Sequence, residues 1–313
     1  MIEALRYSEA DKPDWDAFVG NSRNGTFLFL RDYMDYHADR FMDASLLLRQ
    51  DRRLVAIMPA NQASREIHSH QGLSFGGLVI DDHVSAAQTT EILAAAIAAY
   101  ADEGAERLVY RTIPHIYHRA PAQDDLYALA KLGAQLRRRD VLSVVDGRHR
   151  LRWQNRRLRG LKRARGLGLN VSRSNDWPSY WRLLATCLDE RHGATPVHSL
   201  PEIATLAERF PDNIQLYVGH NGDALVGGVV IYVSHTVAHV QYIATNSEGR
   251  SSGILDLLFA YLLDDVFADK PYFDFGSSMG ESGNSLNVGL AAHKEGFGAR
   301  TVIQDTYAIA IAQ

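Results

Sequence analysis

A mixed α/β fold, made once and then repeated in tandem, is what the order of elements in this sequence predicts. Three observations carry that expectation. Hydrophobic periodicity in the first half reads as hairpin, strand, helix, strand, loop, helix, strand, and the second half runs through the same order. The helix-to-strand junctions also match, Leu132-Gly133-Ala134 in one half and Phe297-Gly298-Ala299 in the other. Finally, 313 residues with 46% hydrophobic and 22% charged content suit a soluble globular chain too long for one small core. We therefore expect two domains, 1–150 and 151–313, each a mixed, mostly antiparallel sheet flanked by helices.

In the first half a strand is expected at 3–7, followed by an amphipathic segment around Trp15, Phe18 and Val19. Strands 45–50 and 53–60 join at Asp51-Arg52 as a hairpin. The stretch 74–81 reads as a strand whose Gly76-Gly77 pair marks a bulge or a close backbone approach. An Ala-rich helix at 89–102 places Ile92, Ala96 and Ala99 on one face and ends at Gly104. A strand from Arg107 then meets Pro114. Beyond a loop, a helix starts at Asp124, a suitable N-cap, and leads into a strand at 135–146.

Residues 148–165 change character. They hold nine Arg and Lys and no acid, with a helix near 154–165 that Gly166 and Gly168 end. Arg156, Arg159 and Arg163 share one of its faces, where guanidinium groups could grip phosphates; a solvated linker helix would look the same. The second half brings a helix at 177–190 and a loop bracketed by Pro196 and Pro201. A hairpin turns at Asn221-Gly222, a strand spans 235–246, and a helix spans 251–267. A short strand at 272–276, a helix at 284–296 and a strand at 299–312 close the chain.

Composition excludes several classes. A net charge of −4 gives no global pull toward nucleic acid, and no apolar window is long enough to span a membrane. The single Cys187 rules out an intramolecular disulfide, and the N-terminal stretch lacks an export signal, so a cytoplasmic protein is expected. The thirteen His show no metal-ligand spacing, so no metal is expected. Nor is there a Ser–His–Asp or Cys–His signature, which favours direct attack over a covalent intermediate.

Against this background the segments IPHIYHRAPAQDDLYAL, PVHSLPEI, FPDNI, AHVQYIAT, LDLLFAYLL, FDFGSS and LNVGLAAHKEGFGAR matter as a set. Together with the doubled element order, they resemble the Fem-type tandem branch of the GNAT acyltransferase superfamily. The closest resemblance is to bacterial enzymes that acylate nucleotide-linked amino sugars, and it runs from about residue 105 to the end. It implies transfer of an acyl group from acyl-CoA to the amine of a dTDP-linked deoxysugar, in a cleft between the halves. Other members of the branch use aminoacyl-tRNA and a peptidoglycan precursor. That reading stays open here, as does a non-catalytic binding protein that kept the fold. The pyrophosphate loop departs from the pattern. Arg250, Ser251, Ser252 and Gly253 stand in its place, and Leu255 replaces the final small residue. Backbone N–H groups at a helix start would still suit phosphates there.

Candidate site residues follow. Lys294 lies two helical turns after Asn287, so both share a face, and the matching helix of the first half has no Lys there. By the resemblance, Lys294 stabilises charge at the reacting centre. Asp274, at a strand end before Gly276, could hold or deprotonate an amine, or simply cap the turn that follows. Glu281 is a further carboxylate in the next loop. His239 and Gln241 alternate along one strand and should point to one side, as cleft lining or as a satisfied core pair. Tyr117, His118 and Asp125 occupy the duplicate of the Asp274 region in the first half and could bind sugar hydroxyls. His192 and His198 flank the Pro-bracketed loop as candidate cleft wall.

Overall fold

The computed structural model of the protein describes residues 1–280 and 283–311. It divides into two compact units, Met1–Asp140 with Ile303–Gln313, and Val141–Val302. The closing strand of each half runs across this division. Gln135–Asp146 and Arg300–Ala310 are 12 and 11 residues long, and each carries the chain from one unit into the other. Residues 142–146 pair with Tyr272–Ser277, while residues 306–310 pair with Arg107–Arg111.

The first unit holds two sheets. Ile2–Arg6, Leu46–Gln50, Arg53–Met58 and Val79–Ile80 form one, in that order and antiparallel throughout. Residues 306–310, Arg107–Arg111, Glu66–His68, Asn61–Ala63 and Met42–Asp43 form the other. The expected hairpin turns at Asp51 and Arg52, both at positive φ (49° and 68°). Ser85, in a reciprocal capping box with Gln88, starts the Ala-rich helix at Ala86, three residues earlier than its apolar pattern suggests. Ile92, Leu93, Ala96 and Tyr100 then bury against Leu46, Leu48, Met58 and Leu108. Truncating one of these leucines to Ala costs about 2–5 kcal/mol.

The strand expected at 74–81 shrinks to Val79–Ile80. A Cβ on Gly76 would lie 1.7 Å from the Ser69 carbonyl oxygen, and Gly77, at φ +97°, would strike the Tyr110 ring. The Gly pair therefore marks a close approach of backbone, not a regular ladder.

The second unit is one sheet in the order Asn170–Ser174, Ile214–Asn221, Ala224–Val233, Val237–Thr245, Tyr272–Ser277 and residues 142–146. Every pairing is antiparallel except that of Val237–Thr245 with Tyr272–Ser277. The core beneath is aromatic: Phe259 lies edge-on to Phe273, Phe275 and Phe297 at 6.1, 4.9 and 4.9 Å. The basic helix Asn155–Gly166 packs on Ile254–Tyr261 through two glycines. A Cβ on Gly253 (φ +85°) would come within 2.6 Å of Gly160 O. Among the described residues, no helix is long and apolar enough to cross a membrane.

Candidate active site

The site is built where two parallel strands of the second unit part company. Val237–Thr245 and Tyr272–Ser277 share only three register pairs, Val237↔Tyr272, Ala238↔Phe273 and His239↔Asp274. Each then continues on its outer partner alone, Ala224–Val233 on one side and residues 142–146 on the other. A register shift between Asp274 and Ser277, with Gly276 at φ +74°, turns the second strand away. Beyond the last shared pair the sheet is therefore forked.

His239 and Asp274 stand at the apex. His239 Nδ1 is 2.9 Å from Asp274 Oδ2, and the Gly276 N–H donates to Asp274 Oδ1 at 2.7 Å. An ionised carboxylate only accepts hydrogen bonds, so Nδ1 carries a proton and Nε2 is the ring nitrogen left to meet an incoming molecule. Asp274 is 1% exposed, with both oxygens engaged. The Gly276 bond is the turn cap that its sequence position allowed for. Gly276 is required here as well: a Cβ would sit 3.3 Å from His239 Cε1 on a backbone that side chains rarely adopt.

Lys294 comes from the helix Val288–Glu295 and is 4% exposed. Its amine donates to Gly276 O at 3.0 Å and Ser277 O at 2.6 Å, fastening the diverging strand. Burial lowers its pKa to about 8, against a smaller upward pull from Asp274. Below pH 8 the folded protein bears the full cost of the buried charge; between about 8 and 10.5 only the unfolded chain holds the proton, so this group makes stability rise with pH. Lys294→Met removes that slope. Relative to wild type, the variant should lose about 3 kcal/mol of unfolding free energy between pH 7.5 and pH 10.5, read by urea titration at both values.

A second charged cluster supports the helix that carries Lys294. Arg157 Nη1 contacts Asp256 Oδ1 at 3.2 Å, Arg157 Nη2 lies 2.7 Å from His293 Nδ1, and the guanidinium sits 4.5 Å over the Phe297 ring. Burial raises the Asp256 pKa and lowers that of Arg157, so desolvation outweighs their attraction on both sides. His293 is lowered to about 4 by burial and by the cations Arg157, Arg156 and Lys294. None of this trio was singled out from the sequence. The available signal was an Asp inside the apolar run ILDLLFAYLL.

The remaining candidates fall into several groups. Asn287 is the N-cap of the Lys294 helix, its side chain accepting from Leu290 N–H at 2.9 Å, and it is exposed where Lys294 is buried. Gln241 is the extra residue of a bulge between Val240 and Tyr242, so the alternation that aligned it with His239 is interrupted. His198 Nδ1 lies 2.5 Å from the Tyr242 hydroxyl, and Tyr242 in turn packs edge-on to Trp181 at 5.2 Å.

The helix expected to open at Ser251 opens at Ser247 and ends at Ser252; Gly253 then starts Ile254–Tyr261. The Ser251 and Ser252 hydroxyls donate back to Glu248 O and Gly249 O, and Arg250 donates to Thr245 O. Arg156 reaches Ala292 O, while Arg159 is exposed.

In the first unit, Tyr117, His118 and Asp125 are largely interior. The Tyr117 ring lies 4.4 Å from Phe75, burial lowers the His118 pKa to about 4, and Asp125 accepts from the Tyr110 hydroxyl at 2.8 Å. Burial raises Asp125 to about 6. Gln123, not Asp124, is the N-cap of that helix, and Asp124 lies 3.6 Å from Arg23. Glu281 and the side chain of His192 lie outside the described residues. Among the described residues no cluster of His, Cys, Asp and Glu could hold a metal.

Comparison with known proteins agrees with this architecture. Residues 146–285 match the family model described as an acetyltransferase (GNAT) domain. Along almost its whole length the fold is similar to that of FemX (TM-score 0.69, 12% identity, covering 97% of this chain and 96% of that one). It is also similar to a tandem GNAT protein from the clavulanic acid biosynthesis pathway (TM-score 0.54, 11% identity, 100% and 99%). L-PGS from Bacillus licheniformis is a further structural relative (TM-score 0.55, 12% identity, 97% and 92%). At these identities the likeness concerns the fold. No curated protein matches the chain by sequence. The fold is thus mixed α/β with tandem GNAT-like halves.

Proposed function

We propose that the protein is an N-acyltransferase that moves an acyl group from acyl-CoA to the amine of a nucleotide-linked amino sugar. The observation that carries this reading is the forked sheet with a His239–Asp274 pair at its apex. A fork offers backbone N–H groups along two facing edges, suited to holding a thioester arm and the oxyanion that develops on its carbonyl. His239 Nε2 takes the proton that the attacking amine gives up. The N–C bond forms, the C–S bond breaks, and the imidazolium returns its proton to the departing sulfur. Asp274 holds the imidazole in the required tautomer, and Lys294 is a positioning residue that fixes the Gly276–Ser277 backbone.

The acetyltransferase match over residues 146–285 supports the reaction type. The sugar-nucleotide acceptor rests on the motif set quoted above. Calorimetry with acetyl-CoA and longer acyl-CoAs tests the donor, and thiol release with dTDP- and UDP-amino sugars tests the acceptor. Micromolar binding of an acyl-CoA, and thiol release only when an amino sugar is present, are the expected results. Absence of binding to every acyl-CoA, with a salt-sensitive response to aminoacyl-tRNA instead, would sink the proposal.

A further inference from the structure

We propose that the outward face of the basic helix Asn155–Gly166 docks on an anionic lipid bilayer. The helix is two-sided. Gly160, Ala164 and the half-buried Leu161 turn inward, and opposite them stand Leu158, Arg159, Lys162 and Arg165. The flanking cations are taken: Arg157 by Asp256, Arg156 by Ala292 O and Arg163 by Ser251 O. Among the described residues, Arg159, Lys162 and Arg165 form no ion pair or side-chain hydrogen bond, and no acid occurs between Asp146 and Asp176 to neutralise them.

Charge alone would be satisfied by water. The leucines would not: Leu158 is 48% exposed and Leu167, one residue past the helix, is 55% exposed. Leu158, bare among unpaired cations, with Leu167 exposed at the end of the helix and not on that face, suits a surface that is apolar just beneath a layer of phosphates, which is the boundary region of an anionic bilayer. A nucleic acid would use the cations but gain nothing from leucine. It favours exposed aromatic rings, and the nearby Trp153 is packed edge-on against Phe297 at 5.1 Å. The proposed contact is peripheral, and among the described residues no helix is long and apolar enough to cross a membrane.

Co-sedimentation of the full chain with vesicles tests this. Vesicles of phosphatidylcholine containing about 30% phosphatidylglycerol should pellet the protein at low salt, and pure phosphatidylcholine vesicles should not. Lys162→Glu with Arg165→Glu should weaken the partition coefficient by at least about twentyfold, from roughly fivefold per charge. Leu158→Ser with Leu167→Ser leaves the charge intact and should weaken it by about fivefold or more. Matched circular dichroism and melting temperatures establish that the variants fold. Failure of wild type to pellet with the anionic vesicles would overturn the proposal. So would a leucine variant that binds like wild type while only the charge variant is lost, the pattern of a purely electrostatic face such as one that binds RNA.

Discussion

Replacing Asp274 with Asn should lower kcat/KM for acyl transfer by roughly a hundred- to ten-thousand-fold, the range of a misdirected general base. Asn keeps the volume but offers one acceptor and one donor where the carboxylate offers two acceptors. Two partners of Asp274, the Gly276 N–H and the His239 ring, approach as donors. One of them must face an N–H. If the ring turns or changes tautomer, Nε2 no longer presents a lone pair at the fork. His239→Gln should fall into the same range. The double variant should cost little more than either single one, because the two residues act as a unit. The KM for the acyl donor should change far less than kcat. A loss confined to KM, or two single losses that multiply in the double variant, would exclude the orienting role.

The largest expected effect on stability is at Asp256. Asp256→Ala leaves the Arg157 guanidinium buried over Phe297 without its carboxylate, and should destabilise the second unit by about 3–5 kcal/mol. Replacing both partners, as Arg157→Met with Asp256→Leu, should recover most of that loss, since each ion is held against an unfavourable burial. Urea unfolding of the single and double variants measures the difference. The site also explains Gly160 within a run of charged residues. A Cβ there would lie 1.9 Å from Asp256 Oδ2, so only glycine lets the helices close around the pair. A double variant as unstable as the single one would show that packing, not the isolated charge, is responsible.

Much of the fold was legible because its signals are local. The turns at Asp51-Arg52 and Asn221-Gly222, the Ala-rich helix and the repeated order of elements all follow from residue types at short spacing. Which ladder a closing strand joins is not local, and no pattern within the strand records it. The same division holds at the candidate site. Lys294 stood out because the matching helix of the first half has no Lys, and Asp274 because a carboxylate stands in an otherwise apolar strand. Their geometry depends on the parallel register that sets His239 beside Asp274 and on a fork that no periodicity records. The Gln241 bulge arises from pairing with the neighbouring strand, which alternation along one strand cannot reveal. The partner of Asp125, the Tyr110 hydroxyl, comes from a strand 15 residues away, which spacing around Asp125 does not record.

The course of the closing strands also bears on how the protein is made. Thr112 bonds to Asp305 across 193 residues of sequence, and Arg107–Arg111 finds its antiparallel partner only in residues 306–310. During synthesis the first unit therefore emerges with that strand edge open, and it stays open while about two hundred further residues are translated. An open edge invites pairing with other chains. Residues 306–310 complete a ladder whose other strands lie about two hundred residues earlier, so deleting that strand alone should damage the opposite end of this sequence.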